Sequence, residues 1–195
     1  MISFLFVNCI ITIMDDELID VINEKGELTG NVVPKCQAHK EGLLHASVHV
    51  WICDDRDRVL LQKRASGKPI YPNLWDVSVA GHLSTGDTPI EAAVREVFEE
   101  VGLTIDVSQL KLIQKRLSRK QPTADILDNE LHYIFLCNIG EAPLELVLQS
   151  EEVEEVSWVN FVDFSKTITS DYDKYFVPHG IDYYDTISSF LINIP

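Results

Sequence analysis

The sequence predicts an α/β protein, a mixed β-sheet flanked by helices. Three observations carry that reading. Short strand-like runs precede one long amphipathic segment, and more strand-like runs and a second helical pattern follow it. The amphipathic segment, residues 89–101, has a cap and first-turn proline in Thr88-Pro89 and a stop in Gly102. A length of 195 residues, 46% apolar and 24% charged, suits one globular domain with an ample core.

Taken in order, residues 18–23 and 28–33 read as a hairpin around the turn Glu24-Lys25-Gly26. Residues 34–44 read as a loop or short helix. Residues 45–53 and 59–63 are strands joined by the turn Asp54-Asp55-Arg56-Asp57. Gly67, Pro69 and Pro72 mark residues 65–74 as a loop. Residues 75–80 then form a strand that feeds Gly81. Beyond the helix, residues 110–117 and 130–138 are strands separated by a polar loop, 118–129. Residues 153–159 are a strand carrying Trp158, 161–168 a helix, and 183–192 a final amphipathic segment. The expected domain is residues 14–195. The apolar residues 1–13 are shorter than the about 20 residues a membrane helix needs, and they lack a basic start and a cleavage site. Met14-Asp15-Asp16-Glu17 reads as the true start, which leaves 1–13 as an upstream extension or an extra edge strand.

A net charge of −15 excludes a general nucleic-acid-binding surface, because nothing would offset phosphate repulsion. It permits a small phosphorylated substrate held by local cations and a metal, and nothing points to a membrane. Cys9, Cys36, Cys53 and Cys137 include no CxxC pair and read as buried small hydrophobes in a reducing, cytoplasmic compartment. Oligomeric state is not legible in the sequence, and a homodimer is the default expectation.

The chemistry concentrates on the long helix. Glu96, Glu99 and Glu100 stand at i, i+3 and i+4, on one face, while Ala92, Ala93, Val97 and Val101 form the packing face. Three adjacent carboxylates repel unless a hard divalent cation such as Mg²⁺ (or Mn²⁺) sits among them. With Gly81, these residues resemble the box of the Nudix hydrolases, GX5EX7REUXEEXGU with U aliphatic. Gly81, Arg95, Glu96, Val97, Glu99, Glu100, Gly102 and Leu103 stand at the required spacing, and Asp87 replaces the first Glu. The resemblance implies the Nudix α/β/α sandwich. It also implies metal-dependent hydrolysis of a small-molecule diphosphate, such as a nucleoside diphosphate linked to another moiety. It assigns Glu96, Glu99, Glu100 and Gly81 to the metal and Glu99 or Glu100 to the attacking water. Arg95, grouped with them in the catalytic set, would pair with Asp87 or Glu91 to hold loop and helix together.

Residues 35–132 also look like the type I isopentenyl diphosphate isomerases, a branch of the same superfamily. That likeness implies diphosphate contacts from Lys35, Arg64 and Lys68. It places His39, His45 and His82 at or near metal-binding histidines, with the gap between the first two one residue shorter. Asp128 and Glu130 match a metal-binding Glu-x-Glu pair whose second member also moves protons, and Trp75 and Ser78 fit the strand of the catalytic cysteine. Ala80, however, stands where that cysteine would be, and Ser118 where a catalytic tyrosine would be. Allylic isomerisation needs an acid and a base on opposite faces of the carbon skeleton, and a methyl group is neither. The sequence therefore predicts hydrolysis on an isomerase-like frame, with isomerisation or non-catalytic diphosphate binding as the alternatives. Taken singly, His45 and His132 read as structural histidines in apolar strands, and Glu151, Glu152, Glu154 and Glu155 as a solvated acidic loop.

Overall fold

The structure, a computed structural model, describes residues 16–193; the expected extension at residues 1–13 lies outside them. Strands β1 (Leu18–Ile22) and β2 (Leu28–Pro34) form the first antiparallel hairpin. Helix α1 (Lys35–Glu41) follows and ends at Gly42, whose left-handed conformation (φ 63°) turns the chain into the sheet. Next come β3 (His45–Asp54), β4 (Arg58–Arg64), β5 (Trp75–Asp76) and β6 (Val79–His82). Helix α2 (Pro89–Val101) carries the complete capping box between Thr88 and Glu91 and stops at Gly102. Strands β7 (Leu110–Thr123), β8 (Ile126–Asn138) and β9 (Val153–Asn160) lead to helices α3 (Phe161–Tyr175) and α4 (Ile181–Ile192).

The centre is β3, all ten of whose residues are buried. It pairs antiparallel with β1, β4 and β6 and parallel with β8, from His45 opposite Glu130 to Cys53 opposite Asn138. Because side chains alternate along a strand, β3 and β8 present two different faces. Ala46, Val48, Val50, Ile52, Leu131, Tyr133, Phe135 and Cys137 pack against Ala92, Ala93, Val97 and Val101 of α2. On the other face Trp51, Cys53, Ile134 and Leu136 meet Phe164 and Ile168 of α3 and Tyr183, Tyr184, Ile187 and Leu191 of α4. The layers are helix, mixed sheet, helices, as the sequence predicts. Among the described residues, no helix is long and apolar enough to cross a membrane.

Four local expectations are corrected. Residues 118–129 are not a loop: β7 and β8 continue as one long hairpin to the Thr123–Ile126 pair, their polar alternation being that of a half-exposed strand. Residues 75–80 are not one strand. β5 pairs with β4 and β6 with β3, and Ser78 at the crossing donates its Oγ–H to Leu60 O and accepts from Ile52 N. The helix at 161–168 runs on to Tyr175. Cys53 and Cys137 are buried as expected, but Cys36 is half-buried and lines the cleft described below.

Ser78→Ala would strand two buried backbone groups at this crossing. It is expected to cost about 1–3 kcal/mol of stability, read as a lower urea midpoint with unchanged slope.

Candidate active site

The functional side chains converge on a cleft of about 590 Å³ at the polar end of the sheet. Its first wall is α2. Glu96 and Glu100 are buried, whereas Glu99 is 46% exposed at the rim, so the three acids lie at different depths. Gly81 makes that burial possible, because a Cβ there would overlap the Glu96 carboxyl group, its carbon only 2.0 Å away. The glycine is thus a cradle for a carboxylate. Glu100 Oε2 accepts from the Ala80 N–H at 3.4 Å. Burial, together with the neighbouring Glu96 and Glu152, pushes the Glu100 carboxyl well above the usual range. Burial also raises Glu96, against the pull of Arg95.

Arg95 ties loop to helix. It donates to His82 O (3.0 Å), Asp87 (3.1 Å), Glu96 (2.7 Å) and Glu99 (3.1 Å). Of its two expected partners, Asp87 is the one engaged, since the Glu91 carboxylate is used by the Thr88 cap. The shorter Asp87 still reaches.

The second wall is a histidine group. His39 from α1, His45 from β3, His82 from β6 and Glu130 from β8 bring ligand-type atoms within 4.8 Å of one another. His45 Nδ1 lies 2.8 Å from Leu43 O and so carries the proton, which leaves Nε2 as a bare lone pair facing the group. Burial lowers His45 to about 4, so the imidazole is neutral near pH 7. His45 Nε2 is buried without a hydrogen-bond partner, with Glu130 Oε1 3.8 Å away, while His39 Nδ1 faces Asp128 Oδ1 at 3.0 Å. His39 Nε2 and His82 Nε2 face each other at 3.2 Å, and Glu130 Oε1 lies 3.5 Å from His82. A buried lone pair that accepts no hydrogen bond, here His45 Nε2, is what a cation would satisfy. The donor chemistry therefore fits a metal here, and the Glu96–Glu100 pair fits a second, harder one. His45 is not the satisfied structural residue that its apolar strand suggested.

The expected substrate cations all reach the cleft, each beside an acid: Lys35 with Glu17 (3.2 Å), Arg64 with Asp76 (3.3 Å), and Lys68 with Glu152. Glu152 remains on the loop to which its charge run assigned it, half-buried there, with its carboxylate turned to Lys68 at the cleft. His132, expected to be structural, lines the cleft, its Nδ1 2.7 Å from Ser47 Oγ and 3.3 Å from Glu130 Oε2. Ala80 and Ser118 are also on the lining, so no thiol or phenol stands at either position. Sequence reasoning missed Glu17, His49, Asp76, His179 and Tyr183. Asp76 and His179 are 103 residues apart, and no local pattern links them.

Residues 43–179 match the model of the NUDIX domain. The chain belongs to the Nudix family. Among curated proteins it is 34% identical over 174 residues to Nudix hydrolase 3 of Arabidopsis thaliana, covering 87% of this chain and 22% of that longer protein. It is 30% identical over 158 residues to an isopentenyl-diphosphate Delta-isomerase of Streptomyces coelicolor, covering 79% of this chain and 76% of the isomerase. Among solved structures, DR0079 of Deinococcus radiodurans superposes with a TM-score of 0.62 at 17% identity, over 87% of this chain and 98% of that one. The Nudix sandwich and the likeness to the isomerase branch both stand.

The cradle at Gly81 can be tested directly. Gly81→Ala should leave the circular dichroism spectrum intact, because nothing in the backbone there requires glycine, yet displace Glu96. Mn²⁺ affinity measured by calorimetry is expected to fall about 10–100-fold.

Proposed function

We propose that this protein hydrolyses the diphosphate bond of a nucleoside diphosphate linked to another moiety, or of a related organic diphosphate, with Mg²⁺ or Mn²⁺ as cofactor. The observation that carries the reading is the burial of Glu96 and Glu100 against Gly81 and Ala80 with Arg95 as the nearest guanidinium. Two buried carboxylates with raised pKa values are costly unless a further cation shares the site. Glu96, Glu99 and Glu100 would hold it. When bound, such a cation neutralises charge on the diphosphate and acidifies the attacking water.

The chain's own residues supply the rest. Glu99 sits at the rim, exposed enough to orient a water. Arg95 holds the loop carrying His82 and Asp87 at a set distance from the helix carrying the acids. Lys35 and Lys68 exchange Glu17 and Glu152 for phosphate oxygens as the substrate enters, while Arg64 stays oriented by Asp76 and Ile70 O. Pairing each cation with an acid keeps the empty cleft from drawing in arbitrary anions.

A second reading, isomerisation of isopentenyl diphosphate, is favoured by the His39, His45, His82 and Glu130 group and by the isomerase relatives. It is opposed by Ala80, since a methyl group at that position can neither give nor take a proton opposite Glu130.

The deciding experiment is phosphate or nucleotide release from a panel of nucleoside triphosphates, nucleotide sugars, dinucleoside polyphosphates, coenzyme A and isopentenyl diphosphate, with Mg²⁺ or Mn²⁺. Release abolished by chelation, and lowered on the order of a hundredfold or more in Glu99→Gln and Glu100→Gln, is the expected result. Undiminished release in both variants would remove the carboxylates from the mechanism. Double-bond migration in isopentenyl diphosphate without any hydrolysis would establish the second reading instead.

A further inference from the structure

Glu130 and His132 stand two residues apart on β8, so both side chains leave the sheet on one face. The parallel register sets them beside His45 and Ser47 of β3. His132 is buried, and its ring lies 4.3 Å from that of His49 between centroids, tilted by 31°. Its Nδ1 is 2.7 Å from Ser47 Oγ and 3.3 Å from Glu130 Oε2. Burial opposes the ionisation of Glu130, but His132 and His82 hold its carboxyl well below the usual range. An ionised carboxylate has only lone pairs to offer, so the nitrogen that faces it carries the proton. The His132 Nδ1–H is thus shared between Ser47 Oγ and Glu130 Oε2.

That contact decides which way the carboxylate points. The last torsion of a glutamate side chain is soft, so a partner on one oxygen sets the place of the other. With Oε2 held by His132, Oε1 is left toward the histidine group, 3.5 Å from His82 Nε2 and 3.8 Å from His45 Nε2. Two other members of the group are oriented from behind in the same way. Leu43 O takes the His45 Nδ1 proton, and Asp128 Oδ1 lies 3.0 Å from His39 Nδ1. In each case the outer atom is held and the inner one is presented. Such outer partners raise affinity for a cation, because the ligands are ordered before it binds.

We propose that His132 is a positioning residue for the histidine group: its Nδ1–H fixes the Glu130 carboxylate so that Oε1 faces the cation, which His132 itself does not touch. Ser47 and the His49 ring in turn hold His132 in place. The proposal rests on the histidine group as a cation site, and not on which bond the protein cleaves. A ring kept only for packing could give way to another side chain of similar volume. A positioning donor could not.

The test titrates the full chain with Co²⁺, whose visible absorption reports coordination geometry, in excess Mg²⁺ to fill the carboxylates of α2. Asparagine places an amide N–H close to where Nδ1 stands, glutamine places one near Nε2, and leucine places none. His132→Leu and His132→Gln are expected to weaken Co²⁺ binding about 10–100-fold and to shift the spectrum. His132→Asn should keep both the affinity and the spectrum of the wild type. Asparagine and glutamine carry the same amide, so a difference between them reports the position of the donor and not folding. Wild-type binding in all three variants, or equal losses in all three, overturns the positioning role. A wild-type protein that binds no Co²⁺ under these conditions overturns it too, and leaves the hydrolysis reading to its own assay. Rescue by asparagine without release from any substrate would sink the hydrolase alone and leave His132 its role.

Discussion

Everything in the cleft depends on burying carboxylates beside a strand that leaves room for them. Glu96 occupies the volume in which any residue but glycine at position 81 would place its Cβ, and Glu100 reaches the backbone of Ala80. Such an arrangement is unfavourable on its own, since both carboxyls are pushed up by burial first and then by neighbouring acids, Glu99 and Glu17 beside Glu96, Glu96 and Glu152 beside Glu100. Arg95 supplies part of the compensation. Its contacts with Asp87, Glu96, Glu99 and His82 O also make it the rivet between the loop before α2 and the helix itself. The rest of the compensation is the opening for a cation.

The opposite wall follows from one parallel register. Pairing β3 with β8 sets His45 beside Glu130 and Ser47 beside His132, then, further along the same strands, Trp51 beside Leu136. One face of the sheet is therefore polar at one end and apolar at the other. The apolar end is covered by α3 and α4, and the polar end stays open as the cleft. Glu130 joins the two histidine groups, with one oxygen toward His45 and His82 and the other toward His132. Burial opposes its ionisation, but His132 and His82 hold it well below the usual carboxylate range.

The frame is shared with proteins named for two reactions, and the choice between them falls on few atoms. Position 80 carries a methyl group, which can neither give nor take a proton, while the helix retains its acids. On the same face, α4 contributes Tyr183 and the turn before it contributes His179, each meeting a polar residue of the sheet.

The sequence by itself determined α2, with its cap, its stop and its two faces, and the strands whose residues alternate cleanly. These are local properties, since side-chain periodicity and terminal hydrogen bonding are set within a few residues. It also named Glu96, Glu100, Arg95, His39 and His82 as site residues, because the box spacing and the isomerase likeness single them out. It misread residues 118–129 because polar alternation looks the same in a loop and in a half-exposed hairpin. Periodicity alone read His45 and His132 as structural, although the isomerase likeness set His45 at or near a metal-binding histidine, because periodicity reports which face a side chain is on, not what lies across from it. Only the tertiary structure brought Tyr183 to His49, 134 residues away, and His179 to Asp76. Those meetings depend on the register of β3 with β8 and on α4 folding back over the sheet. Both are settled by packing over the whole chain, which no short window of residues encodes.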